Sequence, residues 1–163
     1  MRKKPELSLR TRALQYLARR EFSRAELRGK LLPHTCTDGD FSLSQPENPR
    51  PEELDALLDD LTARGWLSDA RAVTQLLHTR RSRFGTQRIA YELRQKGIAE
   101  ELIDAALPAL KESELDAARE VWQRKFGVLP QEAREKTKQM RFLQSRGFGF
   151  DVISQVLRPP EKT

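Results

Sequence analysis

Arg80-Arg-Ser-Arg-Phe-Gly-Thr-Gln-Arg-Ile-Ala-Tyr-Glu-Leu-Arg-Gln-Lys-Gly-Ile98 is the key to the architecture, because both of its ends recur elsewhere in the chain. Between Phe84-Gly85 and Gly97, Ile89 and Leu93 stand one helical step apart, which places them on one face. Gly97 suits the left-handed position that ends a helix and turns the chain back, since glycine has no Cβ to clash there. The stretch therefore reads as the second helix of a small unit, with a turn at each end.

Working upstream, Phe22-Ser23 stands where Phe84-Gly85 stands, and Leu27 and Leu31 follow it as Ile89 and Leu93 follow here. Ser23 with Glu26 three residues on is a capping-box signature. Downstream, Lys125-Phe-Gly127 echoes Arg83-Phe-Gly85, and Leu143-Gln-Ser-Arg-Gly147-Phe148 echoes Leu93-Arg-Gln-Lys-Gly97-Ile98. Pro51-Glu-Glu-Leu-Asp-Ala-Leu-Leu58 resembles Ala99-Glu-Glu-Leu-Ile-Asp-Ala-Ala-Leu107, and Val152, Ile153, Val156 and Leu157 match Leu102, Ile103, Ala106 and Leu107. The third copy has eight more residues between its Phe-Gly and its Leu-x-x-x-Gly.

Apolar spacing fills in the remaining helices. Leu14, Leu17 and Phe22 mark the first, and Leu27, Leu31 and Leu32 carry the second to Pro33. Residues 33–50 hold turn formers and read as a surface insertion. A third helix resumes near Pro51, a favoured first-turn residue, with Leu54, Leu57, Leu58 and Leu61 on one face until Gly65. Ser68 can cap a fourth that turns Ala72, Val73, Leu76 and Leu77 inward. A unit of three short helices buries too little alone and must stack on its neighbour. The expectation is an all-α protein of three tandem three-helix repeats stacked into an elongated, curved body. The repeats span residues 1–66 (with the 33–50 insertion), 67–110 and 111–158, followed by a tail at 159–163.

Composition agrees with thin helical layers: in 163 residues, 37% are hydrophobic and 33% charged, too little for a thick core and too patterned for disorder. The lone Cys36 excludes an internal disulfide, and with only His34 nearby it makes no metal site. His78 lies far from both and belongs to no ligand spacing. No cofactor, metal or catalytic group is expected: there is no phosphate-binding glycine loop, and no nucleophile grouping rises above chance. The basic Met1-Arg-Lys-Lys-Pro5 start is followed by no apolar core of a signal peptide, nor does any membrane-spanning run occur, so a cytoplasmic protein is expected.

The net charge of +6 is partitioned along the chain. Residues 1–30, 71–96 and 121–146 are basic blocks, while 38–70 and 98–120 are acidic. In the middle block, Arg71, Arg80, Arg81, Arg83, Arg88, Arg94 and Lys96 are opposed by Glu92 alone, making it the best candidate binding surface. Arginine suits this role because its planar guanidinium contacts phosphate or carboxylate bidentately and stays charged. The competing reading is that these arginines form solvated helix faces, neutralised by the acidic helices. The aromatics Trp66, Phe84, Phe126, Phe142 and Phe148 lie near helix ends, where packing between helices is the commoner use and base stacking the rarer one.

Taken in order, Ser23-Arg-Ala-Glu-Leu27, Gly65-Trp-Leu-Ser-Asp69, Arg80-Arg-Ser-Arg-Phe-Gly85, Glu92-Leu-Arg-Gln-Lys-Gly-Ile98 and Arg141-Phe-Leu-Gln-Ser-Arg-Gly-Phe148 resemble the RecX family from about Leu7 to Leu157. The 33–50 insertion, with Cys36 and Pro46-Glu-Asn-Pro49, looks longer than is usual there. The resemblance implies a modulator, usually inhibitory, of the RecA recombinase. Such a protein binds in the groove of the RecA–DNA filament and suppresses its ATPase, strand-exchange and coprotease activities, a role in the SOS response and homologous recombination. It also implies that the second unit's basic residues, with Arg141 and Arg146, face the filament or its single- or double-stranded DNA, touching the DNA through phosphates. Gly97, Gly147, Phe84, Phe126, Phe142 and Phe148 are the expected structural positions. A monomer is expected, with no membrane contact. Two other functions compete: a stand-alone, non-sequence-specific DNA-binding protein, and a helical-repeat adaptor for an acidic protein. Base-specific reading by one recognition helix is disfavoured, because the arginines are spread over several helices.

Overall fold

Alternating short apolar faces and turn residues produce helices alone among the described residues, 7–35 and 49–160 of the computed structural model. The chain divides into two compact units, Met1–Ala72 and Val73–Thr163.

In the first unit, α1 (Leu9–Leu17), α2 (Arg24–Leu31) and α3 (Pro51–Ala63) share one core. The capping box at the start of α2 is formed in both directions: the Ser23 hydroxyl accepts from the Glu26 N–H at 3.1 Å, and the Glu26 carboxylate accepts from the Ser23 N–H at 3.3 Å. Ala13, Leu27, Leu31, Leu54, Leu58 and Leu61 are wholly buried, joined by Leu9, Phe22 and Leu67. Each such leucine contributes roughly 1.5–3 kcal/mol by leaving water.

Two apolar residues expected in this core lie outside it. Leu14 is 39% exposed, because α1 turns Leu9, Ala13 and Leu17 inward and Leu14 sits a quarter-turn beyond Ala13. Leu32 is 37% exposed, because the chain tightens at Leu32–His34 into a 3-10 turn containing Pro33 and leaves the face that buries Leu27 and Leu31. Cys36 and most of the 33–50 insertion lie outside the described residues.

The second unit contains α5 (Thr86–Gln95), α6 (Glu100–Lys125), α7 (Ala133–Ser145), α8 (Phe150–Val156) and the larger part of α4 (Asp69–Arg80). Ser68 caps α4, accepting from the Arg71 N–H at 3.2 Å. One core gathers Val73, Ile89, Leu93, Ile98, Ile103 and Leu110; another gathers Ala117, Ala118, Leu143, Phe148, Ile153, Val156 and Leu157. The 26-residue α6 serves both and runs unbroken past residues 110 and 111, where two repeats were expected to meet. Pro108 removes one backbone donor inside α6, yet buried residues on either side keep the helix continuous.

The repeated Leu-x-x-x-Gly ends have the same geometry. Gly97 and Gly147 are left-handed, with φ of 71° and 86°, and the following N–H groups of Ile98 and Phe148 donate back to Leu93 O and Leu143 O at 3.1 and 3.2 Å.

Candidate functional site: the arginines around Phe84

Phe84-Gly85 closes the turn that leads from α4 into α5, beside the turn between α7 and α8. The Gly85 N–H donates to Arg146 O at 2.8 Å and the Gln87 N–H to Gly147 O at 3.2 Å. No side chain fits between the two turns. A Cβ on Gly85 would fall 2.2 Å from Gly147 O, and one on Gly147 would fall 2.3 Å from the Arg88 Cβ.

Glycine at both helix starts leaves α5 and α8 without a side-chain cap of their own. Glu114, buried on α6, supplies the acceptors instead. Its carboxylate takes the Thr86 N–H at 3.2 Å, the Thr86 hydroxyl at 3.0 Å and the Gly149 N–H at 3.4 Å. A carboxylate at two helix N-termini also meets the positive ends of their dipoles. Sequence reasoning missed this residue, which counts there only as one acid of the 98–120 block. The available signal was the missing cap at Gly85 and Gly149, but the partner lies 28 and 35 residues away.

Phe84, half-buried, is the hub of the exposed surface above this joint. The guanidiniums of Arg88, Arg146 and Arg80 lie 4.2, 5.5 and 5.7 Å from its ring centre. Arg146 also lies 5.3 Å from the Phe142 ring, which meets Phe126 edge-on at 5.4 Å. Lys125 stands 5.6 Å over Phe142. Ring faces attract these cations without neutralising them.

Carboxylates compensate only part of the cluster. Glu92 accepts from Arg80 at 3.3 Å and lies 4.0 Å from Arg88. Arg81 donates to the neutral Ser113 hydroxyl at 2.9 Å, and Arg88 to Ser145 O at 3.3 Å. Arg83 and Arg141 are exposed and, among the described residues, form no ion pair. Around this joint, Arg81, Arg83, Arg141 and Arg146 therefore have no carboxylate partner among the described residues, while Arg80 and Arg88 share one.

The other candidate residues stand apart from Phe84. Arg94 makes a two-pronged pair with Glu100 at 2.7 and 3.3 Å, and these bonds hold the Glu100 carboxyl below the usual carboxylate range and raise Arg94. Arg71 pairs with Glu21 at 3.0 Å in the first unit. Lys96 is half-buried at the end of α5. Phe148 is a core residue, whereas Trp66, expected to pack between helices, is 45% exposed, with the Arg64 guanidinium 5.5 Å from its ring centre. No helix among the described residues is long and apolar enough to cross a membrane.

Known proteins place this arrangement in context. Residues 68–107 match the family model described as RecX, second three-helix domain, and residues 112–157 match that described as RecX, third three-helix domain. The chain is 52% identical over 155 residues to the regulatory protein RecX of Leptothrix cholodnii, covering 95% of this chain and 90% of that protein. It is 40% identical over 152 residues to the regulatory protein RecX of Ralstonia nicotianae, covering 93% and 87%. Two crystal structures share the fold. One of a regulatory protein RecX has a TM-score of 0.70 at 24% identity, covering 91% of this chain and 70% of that one. The other, RecX from Lactobacillus salivarius, has a TM-score of 0.68 at 18% identity, covering 91% and 92%.

Proposed function

This chain belongs to the RecX family, and we propose that it regulates DNA repair and recombination by binding RecA–DNA filaments and restraining their ATPase, strand-exchange and coprotease activities. The observation that carries the reading is similarity to regulatory proteins RecX over 95% of the chain. The surface around Phe84 supports it. Arg80, Arg88 and Arg146 stand against the Phe84 ring, Arg81 and Arg83 are exposed in the turn that leads to it, and all five offer guanidinium donors to phosphate oxygens or to carboxylates of a protein filament. The chain acts by occupying the filament, with no chemical step of its own.

The DNA-dependent ATPase rate of RecA from the same organism, with this protein titrated in at two salt concentrations, tests the proposal. Inhibition is expected well below one molecule per RecA protomer, and it should weaken at the higher salt to the extent that phosphates are contacted. An ATPase rate unchanged at equimolar protein would overturn it.

A further inference from the structure

Helix α5 has an exposed face with an unusual makeup. At 100° per residue, Gln87, Arg88, Tyr91, Arg94 and Gln95 fall within one arc with Tyr91 near its middle, and all five are exposed. None of the five is acidic, and the carboxylates that reach the arc are Glu100, on Arg94, and Glu92, 4.0 Å from Arg88. Tyr91 is 60% exposed although a large ring gains most from burial, while Ile89, Ala90 and Leu93 on the opposite face are buried. A second exposed ring follows the glycine that lies beside Gln87. Phe150, 63% exposed, follows Gly149, and a Cβ on Gly149 would stand 3.8 Å from the Gln87 side-chain nitrogen. Neither ring takes part in the stacking and cation contacts that involve Phe84, Phe126 and Phe142.

We propose that Tyr91 and Phe150 are stacking platforms for the bases of single-stranded nucleic acid, with Arg88 and Arg94 taking its phosphates. This rests on the reading that the second unit's basic face meets DNA. A base offers a flat π-face to an aromatic ring, and the sugar-phosphate chain brings negative charge within reach of flanking arginines. An acidic protein loop would satisfy the arginines but would leave both rings in water. Arg94 commits two donors to Glu100 and retains others, since a guanidinium carries five N–H groups. Gln87 and Gln95 extend the arc with amides that can donate or accept along a strand.

The test is fluorescence anisotropy with two labelled strands of equal length, one oligodeoxythymidylate and one carrying abasic sites throughout, in the absence of RecA. Stacking on one base predicts that the intact protein prefers the base-bearing strand by roughly 5- to 150-fold. Tyr91→Ala should lose most of that preference, Tyr91→Phe should keep it, and Phe150→Ala should reduce it. Tyr91 is solvent-exposed, so circular dichroism of the alanine variant should be unchanged. Equal affinity of the intact protein for both strands, or an unaltered preference in Tyr91→Ala, would overturn the proposal. So would a Tyr91→Ala variant that binds both strands normally but no longer inhibits RecA, since that assigns the face to a protein contact. RecA inhibition fails or succeeds separately: an intact protein that discriminates bases yet leaves the ATPase untouched sinks the filament reading and leaves the stacking platforms standing.

Discussion

The two units carry similar runs of arginine and use them differently. In the first, Arg24 pairs with Asp59 at 2.7 Å, Arg28 with Asp55 at 2.9 Å, and Arg10 and Arg64 share Asp60, so the acidic α3 answers the basic α1 and α2. In the second, Arg80, Arg88 and Arg146 gather on Phe84 and, among the described residues, Glu92 is the carboxylate that Arg80 and Arg88 share, while Arg81, Arg83 and Arg146 meet none. Alternating charge is thus mostly internal packing in one unit and largely outward-facing in the other. Block charge alone therefore does not identify an interface; the positions of the carboxylates do.

Charge reversal tests that contrast most severely. Arg80→Glu, Arg81→Glu and Arg83→Glu together should raise the protein concentration needed for RecA inhibition on the order of 100-fold or abolish inhibition, because favourable charges become repulsive ones at the contact. Helical content and cooperative melting should persist. Arg24→Glu with Arg28→Glu should do the opposite, lowering the melting midpoint while inhibition by the folded protein persists. Normal inhibition by the triple variant would return the middle block to a solvated face.

A second comparison sets Gly147 against Gly97, which have similar left-handed backbones. Gly97→Val should cost about 1–2 kcal/mol from backbone strain alone. Gly147→Val adds the clash with Arg88 and should cost roughly 3 kcal/mol or more in urea titration. Equal costs would mean that the clasp between the two turns yields easily.

Glu114→Ala should follow at about 2 kcal/mol, since it strands the Thr86 hydroxyl and two N–H groups. Glu114→Gln should cost less, its amide oxygen still accepting. A thermal midpoint unchanged in both variants would remove the joint role.

The exposed ion pairs should matter least. Asp60 is held below its ordinary value of 3.8 first by its hydrogen bond to Arg10 and then by Arg64, and Glu100 below 4.5 by Arg94. Their folded values lie below their unfolded ones, so whatever they contribute is present above those ordinary values and lost as pH falls through the folded values. Asp60→Asn should slightly lower stability near neutrality, make no difference at pH well below the folded value, and so flatten the profile between the two.

Much of the local structure is legible in residue order. The Ser23–Glu26 box, the Pro51 start of α3, the Ser68 cap and the Gly97 and Gly147 turns all depend on residues within a few positions of each other, so spacing reveals them. Leu14 and Leu32 escape such spacing rules, because an apolar residue beside a stripe resembles one inside it until a partner helix fixes the rotation. Trp66 and Tyr91 show the same limit from the other side: aromatic character does not disclose exposure.

Residue order alone reveals the starts of α2, α3 and α4, the glycine turns and the repeated register, because these arise from the preferences of adjacent residues and from glycine's lack of a Cβ. Tertiary structure decided which arginines are neutralised, that one carboxylate caps two helices, and that α6 is shared between two cores. Those outcomes join residues tens of positions apart, and a charge or a missing cap finds its partner only when folding brings distant segments within a few ångströms.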